Sequence, residues 1–258
     1  HAYGGFSTAY EFGSKVMGSY AGRLHGRIAV SGAARHFIDR FFPGDYKVIP
    51  NGVDIARFAR AVPIARWQDG TRNILFVGRF ESRKGLLDLL KAYRILRKTG
   101  CQCRLLVVGG GPQEREARRY IMTRRMGGVE FLGRVSDEER DALFKTADVY
   151  VSPATGRESF GIVLLEAMAA GTAIVCSDIH GYKGVVRRDR DALRVHQLLC
   201  GDSDNGMDRQ LQRRLQPVRN RFRRWRWRPS ATHRIRRQHW RSGAQLTVVR
   251  IGAGVEGP

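Results

Sequence analysis

The sequence predicts an α/β protein built on a doubly wound parallel sheet, and three observations carry that prediction. From Asn73 onward, short apolar runs alternate with longer amphipathic ones, the rhythm of strand and helix units packed around a parallel sheet. The helical stretches carry their own marks, an apolar face in one and a capping signal in another. A chain of 258 residues with 42% hydrophobic content also has enough apolar material for a real core.

Taken in order, the expected strands are NILFVGR (73–79), RLLVVGG (104–110), VEFLGRV (129–135), DVYVSP (148–153) and AIVCSD (173–178). Between the first two, LLDLLKAYRILRK places Leu86, Leu89, Leu90, Tyr93 and Leu96 on one side of a helix. SDEERDALFKTA opens with Ser136 and Glu139 in capping-box spacing, which starts another helix. Upstream, GRIAVSGAARHFIDRFF reads as a strand at 28–31 followed by a helix, and KVIPNGVD as a strand ending in a Pro-Asn-Gly turn. Residues 1–54 are therefore expected to close one α/β domain and 73–195 to form most of a second. Residues 55–72, with Pro63, Gly70 and few periodic apolar positions, read as a connector.

Beyond Val195 the text changes. Residues 196–258 hold fourteen arginines, no lysine and four acids, with tryptophans interleaved and no sustained period. Such a stretch reads as a disordered tail or as out-of-frame translation of a GC-rich gene; a grip on single-stranded nucleic acid is the alternative it leaves open. DSDNGMD at 202–208 mimics the start of a calcium loop, but Arg213 stands where the closing glutamate belongs. His1 in place of an initiating methionine implies that the chain starts inside something larger.

The formal net charge is +22, and +12 of it lies in the first 195 residues. A basic body suits a nucleotide, a phosphate or an anionic membrane surface. Cys101, Cys103, Cys176 and Cys200 lack zinc-ligand spacing, so they read as reduced cytosolic thiols and no metal is expected. With no apolar run near eighteen residues and no signal peptide, the expected location is the cytoplasm, with peripheral contact at the inner face of the membrane as an extension.

The chemistry is expected in RESFGIVLLEAMAAGT (157–172). A carboxylate at Glu166, flanked by Leu164, Leu165, Ala167 and Met168, costs a few kcal/mol if buried without partners, so something should meet it. Eight residues of helix between Glu158 and Glu166 would rise about 12 Å, room for two carboxylates each to hold a pair of hydroxyls. Phe160 and Gly161 fall where the helix should begin, and N–H groups at a helix start attract phosphate; Gly161 would let a ligand approach the backbone closely. The plainer alternative is a solvated loop acid at Glu158 and a solvent-edge acid at Glu166. VGRFESRKG adds Arg79 and Lys84 on the turn after the first strand, at the carboxyl edge where open α/β sheets bind ligands. Neither a P-loop nor GxGxxG is present. A cation pair, a carboxylate pair and a helix start together describe a nucleotide-diphosphate site.

GRFESRKG, VEFLGRVSDEE and ADVYVSPATGRESFGIVLLEAMAAGTAIVCSD, in that order, resemble the carboxyl-terminal, Rossmann-like donor domain of family 4 (group 1) glycosyltransferases of the GT-B fold, with Glu158 and Glu166 matching the family's Glu-x7-Glu motif. HGRIAVSGAARHF and VIPNGVD resemble the end of the amino-terminal acceptor domain, particularly in phosphatidylinositol mannosyltransferases. The resemblance covers residues 1 to about 195. It implies a retaining hexosyl transfer from a nucleotide-sugar, GDP-mannose if the likeness to the mannosyltransferases holds, to a lipid or saccharide acceptor, with no cofactor or metal. It further implies that Arg79 and Lys84, beside Gly78, bind the donor diphosphate and that Glu166 binds the ribose. Glu158, Ser159, Phe160, Gly161 and Ile162 would surround the sugar, and Leu132, Gly133, Arg134 and Val135 would lie against the nucleobase. Catalytic roles fall to Glu158, Arg79, Lys84 and His1, the last at the position of the family's sugar-contacting histidine. The family's first strands, its glycine-rich loop and its final helices have no counterpart here, so a non-catalytic donor-binding half is the alternative to an enzyme.

Overall fold

A computed structural model of the chain describes residues 7–187 and 191–195, together with the short segments 236–237 and 249–250. Helix α1 (Ser7–Ala21) leads into strand β1 (Ile28–Ala29), helix α2 (Gly32–Asp39) and strand β2 (Lys47–Val48), which pairs in parallel with β1. Ser31 begins α2 by accepting a hydrogen bond from the Ala34 N–H at 2.9 Å. The first strand is thus shorter than the expected 28–31, because its last residue is spent on the cap.

The expected connector is built, not slack. It contains helix α3 (Ile55–Arg60), started by Asp54, whose carboxylate accepts from the Ala56 and Arg57 N–H groups. A turn of 3-10 helix follows at Ala65–Trp67. Phe58 and Trp67 are both buried in the larger core cluster. Two lone aromatic anchors carry no periodicity, which is why the sequence reads there as linker.

The main sheet has six parallel strands in the order β5-β4-β3-β6-β7-β8. These are β3 (Arg72–Val77), β4 (Cys103–Val108), β5 (Val129–Gly133), β6 (Val149–Ser152), β7 (Ala173–Ser177) and β8 (Leu193–Val195). All five expected strands are present and each stops earlier than expected, since the residues after it turn into the loops at the carboxyl edge. Residues alternate between the two faces, as pleated strands require: Ile74, Phe76, Leu105 and Val107 join one core cluster, and Leu75, Leu106 and Val108 the other. Helix α4 (Leu86–Lys98) covers the first face with Leu86, Leu89, Leu90 and Tyr93, beside helix α5 (Glu114–Thr123). Helices α6 (Asp137–Thr146) and α7 (Ile162–Ala170) cover the second. Ser136 caps α6, accepting from the Glu139 N–H at 3.1 Å. A short helix α8 (His180–Lys183) follows β7.

The chain leaves β3 for β4 and β5 on one side, then returns to β6 on the other. The strand order therefore reverses between β3 and β6, and ligands of open α/β sheets bind at the carboxyl ends flanking such a switch point. The loop after β3 carries GRFESRKG and the loop after β6 carries RESFG. Topology alone sets the two expected constellations side by side. The expected tail falls outside the described residues except for a two-residue antiparallel pairing, β9 (Arg236–Arg237) with β10 (Val249–Arg250).

Candidate functional site

The two loops are stitched together. The Thr155 N–H donates to the Arg83 carbonyl at 2.9 Å, and Gly85, in the left-handed region at φ 71°, presses against the Pro153 carbonyl so closely that a Cβ would collide with it. This contact brings cations from the β3 loop onto Glu158. Its Oε1 lies 2.6 Å from Lys84 Nζ and accepts from Arg83 Nη1 at 2.7 Å. Arg83 Nε also donates to Glu81 at 2.7 Å, and the other Glu81 oxygen lies 3.2 Å from Arg79 Nε. The result is a chain of charges, Arg79–Glu81–Arg83–Glu158–Lys84, with three cations and two acids. Glu158 and Lys84 are largely enclosed, whereas the Arg79 side chain is 73% exposed. An enclosed cation beside an exposed one, next to a helix start, can take a diphosphate: charge-assisted hydrogen bonds to phosphate gain strength where water is scarce.

Glu158 does not lie on the helix. Helix α7 begins at Ile162, so only the last residues of the Glu158-to-Glu166 interval are helical and the 12 Å helical rise does not apply. Arg157, with φ 58°, and Gly161, with φ 87°, turn the chain sharply on either side of Glu158 to Phe160. Gly161 also has a structural use: the space its missing Cβ leaves is filled by the Tyr182 ring and Leu164, so glycine there serves the backbone turn and the packing of Tyr182. Tyr182 is fixed by a buried hydrogen bond to Ser152 at 2.7 Å, and burial pushes its hydroxyl pKa up. Phe160 is buried, and Ile162 is exposed at the first turn. Ser159 offers its carbonyl to the Ser31 hydroxyl, a contact from the amino-terminal part to the site loop that no motif announces.

Glu166 is buried at 8% exposure, which excludes the solvent-edge alternative. What meets it is arginine: Arg140 Nη2 of α6 at 3.1 Å and Arg57 Nη2 of α3 at 4.0 Å. Burial raises its carboxyl pKa, opposed by the charges of Arg140 and Arg57. The predicted carboxylates therefore sit in two ion-pair clusters, Glu158 with the β3 loop and Glu166 with α3 and α6. Leu132 and Gly133 end β5, while Arg134 and Val135 lead into α6; Leu132 and Val135 pack on the core and Arg134 is exposed. Gly78 follows β3, its N–H bonded to the Val108 carbonyl at 3.1 Å. His25, His36 and His180 are exposed, and His1 lies outside the described residues. Arg83, Arg57 and Arg140 are absent from the expected set. Arg83 had a readable signal, since it precedes Lys84 in the same RKG turn; the other two had none.

Among the described residues no group of histidines, cysteines and acids could hold a metal ion, and no helix is long and apolar enough to cross a membrane.

The profile of the family described as glycosyl transferases group 1 matches residues 60–208. Over 183 residues the chain is 40% identical to the phosphatidyl-myo-inositol mannosyltransferase of Mycolicibacterium smegmatis, covering 70% of this chain and 46% of that protein. The protein of the same name from Propionibacterium freudenreichii is 35% identical over 198 residues, 76% of this chain and 49% of its own length. The chain thus spans about half the length of the curated relatives it matches. Among solved structures, sucrose-phosphate synthase from Thermosynechococcus elongatus superposes with a TM-score of 0.63 at 25% identity, over 83% of this chain and 53% of that one. Anabaena HepE in complex with UDP-glucose gives 0.64 at 20% identity, over 86% and 63%, a likeness of fold. These neighbours are GT-B glycosyltransferases, and the parallel sheet with its site at the carboxyl edge is of that type. Fold and family profile agree: the chain belongs to the group 1 glycosyl transferases.

Proposed function

We propose that this chain carries the donor-binding half of a retaining hexosyltransferase that moves a sugar, mannose by its likeness to the mannosyltransferases, from a nucleotide-sugar to a lipid or saccharide acceptor. The observation that carries the reading is the convergence of Lys84 and Arg83 on Glu158 at the switch point of the sheet. Glu158 is the anion that Arg83 and Lys84 share. A donor diphosphate entering beside it takes up Lys84 and Arg79, and Glu158 then turns its free lone pairs to the hydroxyls of the sugar. As the glycosidic bond to the diphosphate lengthens, negative charge grows on the leaving oxygens, where fixed cations and helix N–H groups stabilise it without reorganisation. A Lys and Arg cluster can carry that charge without a divalent ion, so neither metal nor cofactor is part of the proposal. The leaving phosphate accepts the acceptor's proton on the same face, which keeps the anomeric configuration and requires no protein nucleophile. The name phosphatidyl-myo-inositol mannosyltransferase, carried by the relatives, supports mannose as the sugar and phosphatidylinositol as the acceptor; GDP as the nucleotide and an anionic membrane surface, which the basic body suits, belong to the same proposal.

The test is transfer of labelled sugar from GDP-mannose by a version of the chain completed with the amino-terminal half of a relative. Glu158→Gln is expected to lower turnover by roughly 100-fold, an effect comparable to losing one transition-state hydrogen-bonding group, while GDP affinity is retained. Full turnover in that variant would overturn the role of Glu158. Because the chain spans half of its relatives, the second reading is a nucleotide-sugar binder without turnover; it predicts GDP binding with no transfer even in the completed protein.

A further inference from the structure

Helix α3 belongs to the segment that the sequence presents as a linker, yet its Arg57 reaches the most enclosed carboxylates of the second ion-pair cluster. Arg57 Nη2 donates to Asp141 Oδ1 at 3.1 Å, Nε lies 2.6 Å from Asp141 Oδ2, Nη1 lies 3.5 Å from Asp137, and Nη2 lies 4.0 Å from Glu166. Arg140 pairs with Glu166 at 3.1 Å and with Asp137 at 2.9 Å. Three acids thus share two guanidinium groups, and Asp141 is only 2% exposed. The guanidinium is held in place from behind, over the ring of buried Phe58 at 5.0 Å.

We infer that Arg57 is a positioning residue of the donor site: it engages Asp141 and thereby leaves Arg140 to hold Glu166 as an oriented carboxylate able to accept both hydroxyls of a ribose. The inference rests on the proposed donor-binding role of Glu166. A carboxylate is acceptor-only and can take two hydroxyl donors, but once protonated one of its oxygens becomes a donor and the diol is no longer matched. Burial already favours the protonated form of Glu166, and the arginines oppose it. Without Arg57, Asp141 and Asp137 compete with Glu166 for Arg140, and like charges so close favour protonation of one of them.

The experiment compares GDP with 2′,3′-dideoxy-GDP on the 258-residue chain, as wild type, Arg57→Gln and Arg57→Lys. Wild type is expected to bind GDP roughly tenfold or more tightly than the dideoxy nucleotide, the difference that hydrogen bonds to a charged group supply. In Arg57→Gln the two affinities converge while dideoxy-GDP binding is unchanged, which also shows that the variant is folded; Arg57→Lys, which keeps charge without the planar fork, falls between. An Arg57→Gln variant with the full wild-type preference would overturn the inference. So would equal weakening of both nucleotides, the mark of a merely structural role. A wild type that binds GDP but shows no preference would instead remove the ribose role of Glu166, and a wild type that binds neither would remove the donor site itself.

Discussion

Lys84→Ala is expected to weaken nucleoside-diphosphate binding by about 1.5–3 kcal/mol, the range for losing a hydrogen bond to a charged group, or roughly 10- to 150-fold in Kd. Lys84 is the enclosed cation of the site, with 21% of its side chain exposed, and its amino group lies 2.6 Å from Glu158. The variant loses little else, because Glu158 keeps Arg83 at 2.7 Å. Thermal stability should accordingly hold while affinity falls, and a titration of wild type and variant by calorimetry, with melting curves alongside, separates the two. Arg79→Ala should cost less, since that side chain is 73% exposed and solvent screens its charge. An Arg79 effect larger than that of Lys84 would place the diphosphate outside the cluster formed with Glu158.

The second large effect is structural. Helix α8 crosses the site loop so closely at Gly181 that an added Cβ would fall on the Glu158 carbonyl oxygen, with the Glu158 carbonyl carbon next at 2.6 Å. The obstacle is backbone, so no side chain can swing aside. Gly181→Ala is expected to destabilise the protein by about 1–3 kcal/mol, the usual cost of overpacking; for a chain of this size each kcal/mol lowers Tm by roughly 2–4 °C. It should also displace Glu158 from Lys84 and lower turnover in the completed protein, although Gly181 carries no functional group. Calorimetric melting of the variant checks this, and an unchanged Tm would mean that the loop yields freely and is not held in shape by α8.

The sheet was legible because its strands are short apolar runs, and local alternation decides which face each residue takes. Helix α4 was legible for the same reason: Leu86, Leu89, Leu90 and Tyr93 recur at helical spacing and are all buried. Helix α5 left only Ala117 fully buried among its charged residues, too faint a stripe to read. In the site, Lys84 and Glu158 could be named because each belongs to a motif, but their meeting could not, since 74 residues and a topological switch separate them. For Glu166 the sequence posed the right demand, a partner for a buried acid, without supplying the answer. Arg57 and Arg140 come from two other helices, and ion pairs across such separations leave no period and no local spacing. Gly161 shows a different limit: a glycine that a ligand could approach and one required by a left-handed turn against Tyr182 are the same letter.

The central claim is that the Lys84, Arg83 and Glu158 cluster is a metal-independent nucleotide-diphosphate site, and calorimetric titration of the folded 258-residue chain with GDP and with UDP, in buffer containing EDTA, tests it most directly. Saturable one-to-one binding of at least one of them, strongly reduced by Lys84→Ala, is the predicted result; no binding of either at millimolar nucleotide, or binding that Lys84→Ala leaves intact, would contradict it.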